Sequence, residues 1–279
     1  MKRQTTPPLP PSPSSADKSV YSAQAIATIE NFGAQSTLSA AELYPDRNIF
    51  EWYERHLPDR LPDAHLIDWG AGVGRFAPLY LKRHPKRLTL VEPSPSGHDR
   101  LLSSFGSAPN VEIRHAGLGA EIERVASASE VRHFCTFVIN CLDYPRDAFR
   151  LLSKSIHGGE RLTAFTNVFV PPSLARRLRW DHVLEELEFD LAALSPDEAQ
   201  PPRSTTFTNR ISGSGDVLVD AVHSIFEYQA LLGVSSSWAL KRASLLPPCG
   251  FQHVVRPGDD FGNMVFAVLN IEVERGRST

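Results

Sequence analysis

Cysteine is scarce in this chain. Its 279 residues hold three, Cys135, Cys141 and Cys249. Their spacing fits no metal site, and an odd, scattered set with two members in an apolar stretch reads as reduced core cysteines of a cytoplasmic protein. No excess of basic charge is present either: the formal net charge is −3, so the composition offers no nucleic-acid surface. No apolar run approaches the length of a membrane span. Lys2 and Arg3 are followed by no apolar segment of the kind a secretory signal needs. No internal repeat is visible. These absences set the expected partners: a small molecule rather than nucleic acid or membrane. The chain is expected to be a monomer or homodimer. What is present is 42% hydrophobic residues, enough for a substantial core, in a length that suits one large domain or one domain with an insertion.

The chain is organised around Leu66-Ile67-Asp68-Trp69-Gly70-Ala71-Gly72-Val73-Gly74-Arg75-Phe76. It begins apolar, as the end of a buried parallel strand does. Three glycines follow at alternate positions, and then Phe76, Leu79, Tyr80 and Leu81 form an apolar helical stripe that stops before Pro85. Strand, glycine turn and helix open a nucleotide-binding α/β unit. Glycine permits positive φ and close approach of a ligand to the main chain, and a helix N-terminus offers unpaired N–H groups. The dinucleotide fingerprint needs a third glycine three residues after Gly72, and Arg75 stands there.

The pattern acidic-x-G-x-G-x-G, led by Asp68, instead resembles motif I of class I S-adenosylmethionine-dependent methyltransferases. The resemblance implies that Asp68 helps hold the methionine end of the cofactor and that Gly70, Gly72 and Gly74 pass beneath it. It also implies a second acid at the end of the next strand, on the ribose hydroxyls. Glu92 answers to this, after the apolar run of Arg87-Leu88-Thr89-Leu90-Val91 and before Pro93. A carboxylate suits a diol because it accepts two hydrogen bonds. Family members usually carry an acid after strand three for the adenine amino group. This chain has Ala116-Gly117-Leu118-Gly119, so main-chain groups at Gly117 and Leu118 are the alternative to having no such contact.

In order along the chain, residues 1–19 are rich in Pro and Ser and read as a disordered tail. Residues 20–60 read as an N-terminal helical cap, with Tyr21, Tyr44, Phe50 and Trp52 either walling a pocket or packing in the core. Residues 61–279 read as the core. Its expected fold is α/β: a Rossmann-like, seven-stranded, mostly parallel sheet with helices on both faces and an antiparallel last strand. Helices are expected at 96–105, 120–126 and 146–156, the last closed by Gly158-Gly159. Strands are expected at 111–115, 134–142 and 161–169. A helical insertion after strand five spans 171–235, with helices at 174–194 and from Asp216 to 232. A helix at 237–246, strands at 252–256 and 262–269 and a frayed tail at 272–279 complete the reading.

The resemblance implies S-adenosyl-L-methionine as cofactor, S-adenosyl-L-homocysteine as product, and transfer of a methyl group to a nucleophile. No motif asks for a metal. Asn140, Leu142, Asp143 and Tyr144 stand at the end of the fourth strand, at the edge where ligands of doubly wound sheets bind, with Asn140 a cofactor contact. The run is not the N-P-P-Y signature of amino-group methylation on bases. Candidates for a general base are Asp143, Tyr144, His182 and His223. Asp143 equally suits a helix cap, Tyr144 packing against the cofactor, and the histidines ordinary core or surface sites. His223 shares a helical face with Val219, Val222 and Phe226. A cap over the carboxyl edge suits a small, partly apolar acceptor such as a specialised metabolite. The competing readings are a methyltransferase-fold enzyme of non-methyl chemistry, such as cyclisation, and a non-catalytic cofactor-binding subunit.

Overall fold

The computed structural model describes residues 46–139, 145–170, 187–188, 238–246 and 265–276. Eight strands build one sheet: β1 Ala64–Trp69, β2 Arg87–Glu92, β3 Val111–His115, β4 Glu130–Thr136, β5 Arg161–Val170, β6 Leu187–Glu188, β7 Trp238–Leu246 and β8 Val265–Arg275. The described helices are α1 Asp46–His56, α2 Ala77–Leu81, α3 Pro95–Phe105 and α4 Pro145–Leu152. The strand order is β3-β2-β1-β4-β5-β8-β7-β6. Strands β1 to β5 pair in parallel, and β8 runs antiparallel to both β5 and β7. With β6 only two residues long, seven strands carry the sheet, in the Rossmann-like arrangement expected.

β1 is buried along its whole length, which is why it reads as an apolar run rather than an alternation. Alternate residues still go to opposite faces. Leu66 joins a cluster with Trp52 and Tyr53 of α1, Tyr80 of α2 and Leu101 of α3. Ile67 and Trp69 join the other cluster, with Phe149 and Leu152 of α4. Helices therefore cover both faces. Tyr53 sits at the centre of the first layer, edge-on to Tyr80, Phe134 and Phe165 with centroids 5.5, 5.5 and 5.2 Å away, the geometry that aromatic quadrupoles prefer. Trp52 is likewise packed edge-on against Phe165, and Phe50 lies against Phe76. Both are thus core residues. Tyr21 and Tyr44 lie outside the described residues.

Several expected elements differ. The fourth strand runs over Glu130–Thr136 rather than 134–142, because Phe137 takes φ 60° and turns the chain out of the sheet. Residues 120–126 are not helical; Ile122 is buried there and Arg124 is anchored by an ion pair. α4 stops at Leu152, and Gly158-Gly159 forms a turn into β5 instead of a helix cap. Trp238–Leu246, expected as a helix, is β7. Leu187–Glu188, expected inside a helix, pairs with Leu245 and Ser244 of β7. The expected frayed tail is ordered as far as Arg275 in β8. The strand expected at 252–256 and the rest of the 171–235 insertion lie outside the described residues.

A buried polar chain crosses the second layer. Trp69 Nε1 donates to His133 Nδ1 at 3.1 Å. The ring proton therefore sits on Nε2, 2.7 Å from Glu160 Oε2. Arg124 donates to both Glu160 oxygens at 3.0 Å. Burial pushes the Glu160 carboxyl up, but the hydrogen bonds from His133 and Arg124 outweigh it and hold it at about 2. A depressed carboxyl contributes stability above its unfolded pKa, and that contribution is lost as pH falls through the folded value. Glu160→Gln should lower stability by about 2–3 kcal/mol at neutral pH, with the difference shrinking between about pH 4 and pH 2. Urea denaturation of both proteins at neutral and acid pH checks this.

Candidate functional site

β1 and β4 are neighbours, and the chain leads away from them in opposite directions, to β2 and β3 on one side and to β5 on the other. Such a switch point opens a crevice at the carboxyl ends of the strands. Asp68 ends near this edge of β1, paired in register with Phe134 of β4 and Leu90 of β2.

The glycine turn folds across the end of β2. Gly70 N and Ala71 N both donate to Val91 O, at 2.7 and 3.0 Å. Gly72 N donates to Glu92 Oε2 at 2.7 Å. The other carboxyl oxygen, Oε1, accepts from Ser94 N at 2.8 Å. Glu92 is 3% exposed, so these bonds fix its plane. A carboxylate of this kind is an acceptor-only group, the type of group that suits a neighbouring diol. The next helix is fitted to the same group. Ser94 caps α3 by accepting from Gly97 N. A Cβ on Gly97 would lie 2.9 Å from Glu92 Cγ and 3.2 Å from Gly72 O.

All three motif glycines take positive φ, and each has different surroundings. Gly70 has φ 68°, and a Cβ there would run into Val138 of the loop after β4. Gly72 has φ 58°, and a Cβ there would meet no atom of the described residues within 4 Å. The backbone at Gly72 thus forms the floor of a cradle that the described residues do not fill. Gly74 sits deeper, over Leu101 and Phe105 of α3. The helix that follows has only five residues, Ala77–Leu81, and the turn before it consumes Gly74 O and Ala71 O in internal bonds. The binding groups here are those of the turn and not of a long helix terminus.

Asp68 is 2% exposed. It makes no hydrogen bond or ion pair with any described residue. Burial and then the nearby Glu92 carboxylate push it up to about 8. Two tyrosine hydroxyls feel its charge: burial first and Asp68 second raise both Tyr53 and Tyr80. Tyr80 donates to Tyr53 at 3.0 Å, and Tyr53 lies 3.3 Å from Thr136 Oγ1 at the end of β4. Sequence reasoning missed Tyr53, Tyr80, Thr136, Ser94, Gly97 and Val138. Tyr80 stood in an apolar helical stripe, and nothing local shows that a core hydroxyl lies beside a motif acid.

The remaining candidates are placed as follows. Gly117 and Leu118 lie just past β3, where Ala116 N donates to Glu92 O and Gly117 O accepts from Ala120 N. The Leu118 side chain is buried in the α4-side core. Asn140, Leu142, Asp143, Tyr144, His182 and His223 lie outside the described residues. The structure therefore brings Asp68, Gly70, Gly72 and Glu92 together, and these residues suit an adenosyl amino-acid cofactor: an unpartnered carboxyl, an unfilled glycine cradle and a braced carboxylate.

No protein-family model matches the chain, and no curated protein matches it. Solved structures do. A geranyl diphosphate C-methyltransferase from Streptomyces coelicolor A3(2), in complex with Mg2+, geranyl diphosphate and S-adenosyl-L-homocysteine, aligns over 91% of this chain and 99% of its own with a TM-score of 0.50 and 13% identity. The N-methyltransferase NodS from Bradyrhizobium japonicum WM9, in complex with S-adenosyl-L-homocysteine, aligns over 90% of this chain and 98% of its own with a TM-score of 0.47 and 13% identity. The first likeness, together with the strand order, shows that the chain has the class I methyltransferase fold. Among the described residues no helix is long and apolar enough to cross a membrane.

The state of Asp68 predicts a stability effect. A carboxyl raised in the folded state destabilises folding: the penalty is absent below the unfolded pKa near 4, grows as pH rises, and levels off above about 8. Asp68→Asn should therefore raise the melting temperature of the ligand-free protein at pH 7 to 8, by an amount worth a few kcal/mol. The gain should vanish below about pH 4. Thermal melts of both proteins across pH check it.

Proposed function

We propose that the chain is an S-adenosylmethionine-dependent methyltransferase acting on a small-molecule acceptor. The observation that carries this reading is the braced Glu92 carboxylate, joined through Gly72 to a glycine turn whose floor the described residues leave uncovered. Glu92 would accept both ribose hydroxyls, Gly72 would allow close approach of the adenosyl group, and Asp68 would face the methionine ammonium. When bound, S-adenosylmethionine supplies a methyl group on a sulfonium, open to displacement by a nucleophile. The task left to the chain is orientation and exclusion of water. Alignment of acceptor and donor supplies much of the rate, and an apolar surround favours loss of the sulfonium charge.

The acceptor pocket would be built at the carboxyl edge beside Thr136, Phe137 and Val138, together with the segments at 140–144 and 171–235. A specialised metabolite is the acceptor class favoured, since the composition provides no basic surface for a nucleic acid. Asp143, Tyr144 and His223 are the proposed bases for an acceptor that must lose a proton. His223→Ala should cut turnover by roughly a hundredfold with cofactor affinity unchanged; wild-type turnover in that variant would move the role to Asp143 or Tyr144.

Two experiments test the reading as a whole. Calorimetry should show binding of S-adenosylhomocysteine and none of NAD. Mass spectrometry of a metabolite extract incubated with the chain and S-adenosylmethionine should show an acceptor heavier by one methylene unit, with release of S-adenosylhomocysteine. Cofactor binding without that product would favour the non-catalytic reading. Glu92→Ala should weaken S-adenosylhomocysteine by about thirtyfold or more, the loss of a charged double acceptor worth roughly 2–3 kcal/mol. Glu92→Gln should also weaken it, because one amide N–H2 must then face Gly72 N or Ser94 N.

A further inference from the structure

Asp68 would have to hold a cation although it is buried and makes no hydrogen bond or ion pair with any described residue. The surroundings of Asp68 supply an answer. From α1 comes Tyr53, from α2 Tyr80, from β2 Glu92, and from β4 Phe134 and Thr136; no cation of the described residues pairs with it. The tyrosine hydroxyls bond elsewhere: Tyr80 donates to Tyr53, and Tyr53 shares a hydrogen bond with Thr136 Oγ1 in which either hydroxyl can donate. Neither bond reaches Asp68. With no donor, no cation, little water and a carboxylate nearby, the charged form of Asp68 has nothing to compensate it.

We propose that Asp68 takes up its ligand by proton exchange: in the chain alone it is a neutral acid, and entry of the methionine ammonium of the cofactor expels that proton to solvent. This rests on the cofactor reading above and adds the mechanism by which the site selects a ligand bearing a fixed positive amine. The balance is simple. A carboxylic acid and an ammonium ion enter; a carboxylate–ammonium pair and one solvated proton leave. Tyr53 and Tyr80 are positioning residues here, because their mutual bond keeps donors away from the acid. The upward shift of Asp68 by burial and by Glu92 agrees with this.

Titration calorimetry of the full chain with S-adenosylhomocysteine, repeated in buffers of different ionisation enthalpy, measures the protons released. Close to one proton per ligand is expected at about pH 6.5, falling toward zero above about pH 9. The apparent affinity should tighten by nearly tenfold per pH unit over the acid side of that range. 5′-Methylthioadenosine, which lacks the amine, should bind with no proton release. Asp68→Asn should abolish both the release and the pH dependence for S-adenosylhomocysteine. Tight binding of S-adenosylhomocysteine near pH 6.5 without proton release would overturn the exchange and leave the cofactor reading standing. Absence of S-adenosylhomocysteine binding at every pH would overturn both.

Discussion

The Glu92 carboxylate holds the site together. One oxygen takes the N–H of Gly72 and the other the N–H of Ser94. Each such bond to a charged acceptor contributes on the order of 1.5–3 kcal/mol, and the group is buried, so losing either would leave a costly orphan. The consequences spread outward. Gly72 is held over β2, which places the glycine turn across the sheet edge. Ser94 is held in the extended conformation that lets it cap α3. α3 in turn lies so close that position 97 can carry no side chain without displacing Glu92 or Gly72. The end of β2, the turn after β1 and the start of α3 form one unit around a single carboxyl group.

Asp68 belongs to the same site and shows the opposite condition. Glu92 receives main-chain donors, and Asp68 receives none. Two acids only a strand apart thereby acquire different roles: one is braced as an acceptor of neutral donors, and the other waits for a charge. The difference arises from which backbone N–H groups the turn directs inward, since both side chains are nearly fully buried. A site that leaves one acid unpaired is less stable than it could be, and that is the usual sign of a group kept for binding rather than for folding.

Much of this was legible in the residues themselves. The first three strands, the helix at 95–105 and the pairing of Asp68 and Glu92 with the glycines follow from local patterns: apolar runs, a proline stop, a capped helix start. What escaped depends on contacts distant in the chain. The first half of β4, Glu130-Val131-Arg132-His133, looked too polar for a buried strand. It is a half-buried strand in which Arg132 pairs with Glu130 and the buried His133 bonds both Trp69 and Glu160. β7 looked helical because Ala239, Leu240, Lys241 and Arg242 are good helix formers. It also lacks a clean alternation. A bulge between Leu240 and Arg242 moves the strand's inward set from one face of the sheet to the other. Trp238 and Leu240 pack with the α4-side core, whereas Leu246 packs with the α1-side core.

That bulge also explains why α1 is part of the fold and not a detachable cover. After the shift, Arg242 lies on the α1 face, where it bonds His56 Nδ1 at 2.9 Å and sits 5.6 Å from the Trp52 ring. One residue further along α1, Tyr53 reaches the opposite way, to Tyr80 and Thr136 beside Asp68. A single helical turn therefore joins the outer antiparallel strands to the acid at the switch point. A β7 without the bulge would have Arg242 on the far face and Trp52 without its cation. The register slip that hid the strand in the sequence is what brings β7 into contact with α1 through Arg242.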